Sequence, residues 1–379
     1  MRTSPARAPA AFDRPEHIDD GAADDSVDWV PVYEVLSYGA DLDVSGLVQR
    51  LKRMDIELPS FQRRYVWTDA QAARFVESLL LGLPVPGIFL WRHPETRKLV
   101  VIDGQQRLRT LLFFYNGQFD DGRPFILPKH ASPYQNLNPA FQQQTYSTLD
   151  EGYRRRLDDS IIHATIVQQD RPLEDDSSIY YIFERLNTSG TPLDPQEIRT
   201  AIYGKSLNEL LKKLNGVSAW RDLYGQESAR MKDHELILRF FALSEAEFSP
   251  ALPSPRRYAQ PMKEFLNRYA SRIRRLDEPA AACMLDRFST AITLLSKAVG
   301  KRAFKPGRNF NAAVFDSVMV GLDRRLQSKP APPAEAVALA YDHLLNSDDY
   351  RRSYARSTAN EDRVQQRLAL ATKAFADLA

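Results

Sequence analysis

Between Lys98 and Phe114 the hydrophobic period changes from that of a strand to that of a helix across one short polar turn. Lys98 to Ile102 is β-branched and apolar behind a charged residue, which suits a buried strand. From Gln105 onward Leu108, Leu111, Leu112 and Tyr115 recur on one helical face. Asp103-Gly104-Gln105-Gln106-Arg107 lies between the two. A strand that ends in Asp-Gly and feeds a helix aims backbone N–H groups at one point, and the helix dipole favours an anion there. Gly104 permits positive φ and close approach of a ligand. Arg107 offers a planar fork for phosphate, and Asp103 a carboxylate for a cation or for base catalysis. The plainer alternative is a strand–turn–helix with Asp103 as N-cap and a surface ion pair worth at most about 1 kcal/mol.

The chain has 379 residues, 43% hydrophobic and 26% charged, with a formal net charge of +2. This describes a globular protein long enough for two domains, on which any basic surface must be local. A single cysteine, Cys283, excludes an internal disulfide and a Cys-rich zinc site, and it reads as inert filler of an apolar helix. The six histidines are never spaced three or four apart, which argues against a histidine-pair metal site on one helix. No apolar run approaches a membrane span, and the first residues lack the apolar centre of a secretory signal. A cytoplasmic location is expected.

In chain order, residues 1–27 are Ala-, Pro- and Asp-rich and read as a disordered acidic tail. Order is expected from near Trp29, with a first amphipathic helix through Leu47, Val48 and Leu51 that starts near Asp43 or Ser45. Pro59 then forces an extended approach in which Phe61, Tyr65 and Trp67 interleave with Gln62, Arg63 and Arg64. Thr68 and Gln71 form a capping box for a helix along Phe75, Val76, Leu79, Leu80 and Leu83, with Pro84 and Pro86 as its stop. Ile88–Trp91 and Leu99–Ile102 are expected to pair as a hairpin. The polar segment from Asn116 to about residue 145 reads as a surface excursion or lid, and Ile161 to Val167 as a third strand. Ile179, Ile182, Phe183 and Leu186 begin a helix–turn–helix whose turn is Asn187 to Gly190. Asp194 caps its second helix, with Pro195 at the first position and Glu197 closing the box.

Beyond Glu197 only helical periodicity remains, including Leu236 to Leu243 and Val364 to Phe375, with breaks at Pro250–Pro255 and Pro330–Pro333. Residues 256–308 hold 13 Lys/Arg against four Asp/Glu. Arg256, Arg257, Lys263, Arg268, Arg272 and Arg275 from this run are candidate contacts to a nucleic-acid backbone, with a solvated helix face as the alternative.

Four ordered stretches carry a resemblance: Leu58–Trp67, Val101–Leu111, Phe183–Arg199 and Asp233–Leu243. Together they resemble the domain that begins the GmrSD-type modification-dependent restriction enzymes and also occurs in phosphorothioate-sensing SspE defence proteins. The likeness covers residues 30–245 well. It implies an α+β, ParB/sulfiredoxin-like nucleotide-binding domain over residues 28–175, followed by a helical domain over 176–379. It further implies hydrolysis of a nucleoside triphosphate with Mg²⁺ or another divalent metal, coupled to sensing or cleaving modified DNA in anti-phage restriction. By the same likeness Asp103, Gln106 and Arg107 are catalytic candidates, with Asp103 also the metal ligand. Gly104, Gln105, Gln62, Arg63 and Asn187 are the nucleotide-contact candidates. Full-length members of that family carry a second nuclease domain of the His-Asn-His type, whereas residues 250–379 hold one histidine, His343. A nuclease on a separate chain is therefore an expected partner, and the alternative function is a non-catalytic, nucleotide-gated DNA sensor; an oligomer is compatible with either.

Several residues keep two readings. Tyr65 and Trp67 either stack on a base or pack as core. Arg63 either contacts an anion or pairs with Asp69 or Glu57. Glu184 and Glu197 either add a metal carboxylate or lie solvated on helix surfaces.

Overall fold

The computed structural model describes residues 18–19, 34–59, 65–94, 96–132, 135–171, 177–186, 193–248, 254, 256–259, 261–356 and 358–378. Its first part is built on a mixed five-stranded sheet. The strands are β2 (Glu34–Asp43), β3 (Ile56–Glu57), β4 (Ile88–Arg92), β5 (Leu99–Asp103) and β8 (Ile161–Arg171), in the order β2-β8-β4-β5-β3. A two-residue strand, β1 (Ile18–Asp19), lies elsewhere and pairs with β9 (Phe310–Asn311), and β6 (His130–Ser132) pairs with β7 (Gln135–Asn136). The β4–β5 hairpin is antiparallel, with Phe89 opposite Asp103 and Arg92 opposite Leu99, while β8 runs parallel to β4 and antiparallel to β2. The helices of this part are α1 (Val44–Lys52), α2 (Asp69–Leu81), α3 (Gln105–Asn116) and α4 (Glu151–Asp158).

Both faces of the sheet are covered, and the strand alternation assigns each residue to a side. Leu99 and Val101 of β5, Leu90 of β4 and Ile162, Ala164 and Ile166 of β8 pack with α1–α3. Val100, Ile102, Trp91 and Val167 point the other way, into the core of the helical part. That part runs through α5 (Ser177–Leu186), α6 (Pro195–Ile202), α7 (Lys205–Asn215), α8 (Ser218–Tyr224) and α9 (Lys232–Ser244). It continues with α10 (Met262–Arg272), α11 (Glu278–Val299), α12 (Ala312–Ser328), α13 (Ala334–Asn346), α14 (Asp348–Ala355) and α15 (Glu361–Ala376). The α+β expectation, a small sheet followed by helices, holds. Among the described residues no helix is long and apolar enough to cross a membrane.

The helix starts follow their local chemistry. Asp43 caps α1 through the Gly46 N–H at 2.6 Å, Thr68 and Gln71 close the box on α2, and Asp194 with Glu197 does so on α6. Gly82, in the left-handed region, ends α2 before the prolines are reached.

Other expectations are corrected by packing. β2 was not anticipated; it is a ten-residue edge strand, largely exposed, whose sequence lacks a strict two-residue period. The segment from Gly117 to Leu149 is no surface lid, because Phe119, Phe125, Leu127, Leu137 and Phe141 are buried in the core of the first part. Cys283 is exposed on α11, so it fills nothing. Within the acidic tail, Ile18 and Asp19 form a strand ladder. In the helical core, Asp316 receives two arginines, Arg239 at 2.6 Å and Arg367 at 3.6 Å.

Candidate functional site

The site forms where β5 runs into α3. Gly104, not Asp103, occupies the N-cap position, with φ 97° and ψ 9°. A Cβ added there would lie 2.4 Å from Ile88 Cγ2, so both the conformation and the contact with β4 require glycine. The Asp103 side chain does not cap the helix. Its Oδ2 instead accepts a hydrogen bond from Arg107 Nη2 at 2.8 Å, one turn along α3.

Arg107 joins three pieces of chain. Its Nη1 donates to the carbonyl oxygens of Pro86 and Gly87, both at 2.6 Å, while Nη2 holds Asp103. The guanidinium thus ties the start of α3 to the entry of β4. Three of its five N–H groups are used this way, which leaves two for an incoming anion. Oδ1 of Asp103 is outside the Arg107 contact, and the side chain is 30% exposed.

Gln106 has a role that sequence reasoning did not foresee. Its Oε1 accepts the backbone N–H of Val66 at 3.0 Å and of Trp67 at 3.3 Å. One turn on, Thr110 Oγ1 lies 2.7 Å from the Tyr65 hydroxyl and donates to the Gln106 carbonyl at 2.7 Å. The α3 face therefore holds the chain that emerges from the Gln62–Arg64 segment. The sequence signal was the spacing of Gln106 and Thr110, four apart on one helical face. Tyr65 packs edge-on against Phe113 at 5.0 Å, and burial pushes its phenol up to about 12. Trp67 meets Phe75 at 5.6 Å, so both aromatics pack half-buried against the core of the first part. Gln105 is buried at the first position of α3.

Gln62, Arg63 and Asn187 lie outside the described residues. The two acids considered as partners for Arg63 are otherwise engaged: Asp69 with Arg123 at 2.9 Å and Glu57 with Lys98 at 2.6 Å. Glu197 accepts from the Asp194 N–H and pairs with Arg230 at 2.9 Å, while Glu184 pairs with Lys263 at 3.1 Å. Glu197 is buried, whereas the Glu184 side chain stays 40% exposed on α5 as a helix-surface acid, and neither approaches Asp103 as a second ligand in these contacts.

The basic run is divided by the fold. Lys263 is held by Glu184 and lies over the faces of Tyr180 and Tyr181, and Arg272 is held by Glu245 at 2.6 Å. Arg268 donates to the Arg257 carbonyl at 3.4 Å. Arg256, Arg268 and Arg275 are exposed and Arg257 is half-buried.

Residues 44–204 match the family model described as the N-terminal domain of the GmrSD restriction endonuclease. This segment is similar to a GmrSD N-terminal domain. It reaches from α1 through the four strands other than β2 and the Asp103–Arg107 turn to α6. The matched family is that of a restriction endonuclease, an enzyme class that acts on DNA. No curated protein matches the chain.

The donor set limits how a divalent metal would sit in this GmrSD-like segment. Among the described residues no cluster of three or more His, Cys, Asp or Glu side chains is present. Asp103 is the one carboxylate at the turn with an oxygen outside an ion pair. That fits Mg²⁺, which takes one or two carboxylates and fills its shell with water and substrate phosphate, better than a metal that needs an all-protein cage.

Proposed function

We propose that the chain is the nucleotide-dependent component of a DNA restriction system, and that the Asp103–Arg107 turn binds and hydrolyses a nucleoside triphosphate with Mg²⁺. The observation that carries this reading is the left-handed Gly104 turn. It presents the start of α3, the outer oxygen of Asp103 and the remaining N–H groups of Arg107 on one stretch of five residues. The α3 N-terminus and Arg107 would take phosphate oxygens, and Asp103 Oδ1 would hold the cation or orient the attacking water. The metal, when bound, supplies charge neutralisation on the phosphates. Gln106 and Gly104 position these groups and need not touch the nucleotide.

A second reading keeps nucleotide binding without turnover, with a nuclease on another chain. It is favoured by the three hydrogen bonds of Arg107 to its own protein, which make that residue a joint between α3 and β4 as well as a ligand group. Triphosphatase and plasmid-cleavage assays with Mg²⁺, on modified and unmodified DNA, separate the two. Wild type is expected to hydrolyse nucleoside triphosphate, and Asp103→Asn to lose at least about tenfold in rate at unchanged folding, a barrier increase of about 1.4 kcal/mol. No hydrolysis by wild type, with or without DNA, alongside nucleotide-gated DNA binding would establish the sensor instead.

A further inference from the structure

The sheet face that packs against the helical part is not covered along its whole length. In register across the strands, Val167, Trp91 and Val100 are buried in the helical core, with exposed Ser37 at the edge. Two residues along β2, β4 and β8 the cover has ended. The row Gly39–Thr165–Phe89–Asp103 holds no buried residue. A bulge in β5 sets Ile102 and Asp103 together against Phe89, which brings the acid of the turn into this row. His163 and Thr165 alternate along β8 with Ile162, Ala164 and Ile166, which pack with α1–α3, so both project onto the open strip. At about 4.8 Å between strands, the strip runs roughly 14 Å from β2 to the Asp103–Arg107 turn.

The far end of the strip carries an acid–imidazole pair. His163 Nδ1 lies 2.9 Å from Asp41 Oδ1, and both side chains are more than half exposed. A Cβ added at Gly39 would lie 2.8 Å from His163 Cε1 and 3.3 Å from Nε2. The ring therefore lies over the glycine and brings Nε2 back to the row of Thr165. An ionised Asp41 can only accept, so Nδ1 carries the proton, and Nε2 of the neutral ring is left as an acceptor. An exposed pair of this kind adds little to stability, but it fixes the ring and its tautomer. Between this acceptor and Asp103 the strip offers the half-buried ring of Phe89 and the hydroxyl of Thr165.

We propose that this strip seats the nucleoside of a triphosphate whose phosphates lie at the Asp103–Arg107 turn. Its sugar and base lie across Phe89 and Thr165, and one of its N–H or O–H groups donates to His163 Nε2. Asp41 is a positioning residue that holds the ring in the accepting tautomer. The inference rests on the nucleotide reading above and adds to it the residues that tell a nucleoside triphosphate from bare polyphosphate.

The test is calorimetric binding to the full chain with Mg²⁺, using the β,γ-imido analogues of ATP, GTP, CTP and UTP beside inorganic tripolyphosphate. Wild type is expected to bind its best nucleotide at least about tenfold more tightly than tripolyphosphate, as one or two added hydrogen bonds and a ring contact supply. His163→Ala should remove most of that preference and leave tripolyphosphate binding within about twofold. Asp41→Ala should weaken nucleotide binding less, and adding it to His163→Ala should cost nothing further, because it acts through the ring. A 2′,3′-dideoxy analogue that binds wild type as weakly as the parent binds His163→Ala places the contact on the ribose; one that binds like the parent places it on the base. Nucleotide affinity unchanged in His163→Ala overturns the proposal, as does an equal loss for nucleotide and tripolyphosphate. In both cases retained tripolyphosphate binding by wild type leaves the phosphate role of the turn standing. Failure of wild type to bind either probe overturns that role and the strip with it.

Discussion

Val66 and Gln106, forty residues apart in sequence, are joined by a 3.0 Å hydrogen bond from a backbone N–H to a side-chain oxygen. The amide of Trp67 shares the same acceptor. A residue at the first turn of α3 therefore acts as a bracket for the chain that precedes α2.

Gln106→Ala removes that acceptor and leaves two backbone donors to find water. The expected stability loss is about 1–2 kcal/mol, at about 1 kcal/mol per net hydrogen bond. Hydrogen exchange at Val66 and Trp67 should accelerate by about tenfold or more, and Gln106→Glu, which keeps an oxygen at the same reach, should preserve the protection. If triphosphatase activity follows exchange rather than side-chain charge in this pair, Gln106 is a positioning residue.

Gly104→Ala combines a left-handed backbone with an overlap on Ile88 Cγ2. The backbone cost is about 1–2 kcal/mol and the overlap adds about 1–3 kcal/mol. Ile88→Ala removes the second contribution and not the first. A double-mutant cycle by urea denaturation should therefore show favourable coupling between the two changes, with Gly104→Ala costing less in the Ile88→Ala background.

Asp316 is fully buried between Arg239 and Arg367. Asp316→Ala leaves two guanidinium groups in the helical core without their carboxylate and is expected to cost about 3–5 kcal/mol. Burial holds the Arg367 guanidinium below its ordinary value, with the Asp316 charge opposing that shift. Arg367→Met alone should be milder than Asp316→Ala, since it leaves the Arg239–Asp316 pair intact. Thermal melts of the two variants give the order directly.

His234, on α9, has its pKa lowered by burial, with the neighbouring Asp233 charge pulling the other way. The folded value lies below the ordinary 6.5, so on acidification the unfolded chain takes the proton first. This contribution to stability is fully present above about 6.5 and is lost as pH falls toward the folded value, at a slope of at most about 1.4 kcal/mol per pH unit. His234→Gln should flatten that part of a stability–pH profile measured by urea denaturation.

Much of the local architecture was legible because its causes are local. The β4–β5 hairpin, the caps at Asp43, Thr68 and Asp194 and the turn between β5 and α3 depend on residues within a few positions of one another. β2 escaped because an edge strand need bury only part of one face, which leaves a weak period. Phe119, Phe125 and Phe141 escaped for the converse reason: their surroundings are polar in sequence, and only the folded chain shows what they pack against.

The Asp103–Arg107 turn divides in the same way. Sequence by itself determined that a strand would give way to a helix at a glycine, with an acid before it and an arginine one turn after it. Tertiary structure decided what those side chains do. The partners of Arg107 are carbonyls at Pro86 and Gly87, the partners of Gln106 are amides at Val66 and Trp67, and the neighbour that forbids a side chain at Gly104 is Ile88. These contacts span some 16 to 40 residues of chain. Backbone groups have the same chemistry at every position, so no residue type announces which of them a distant side chain will meet; chain packing makes that choice.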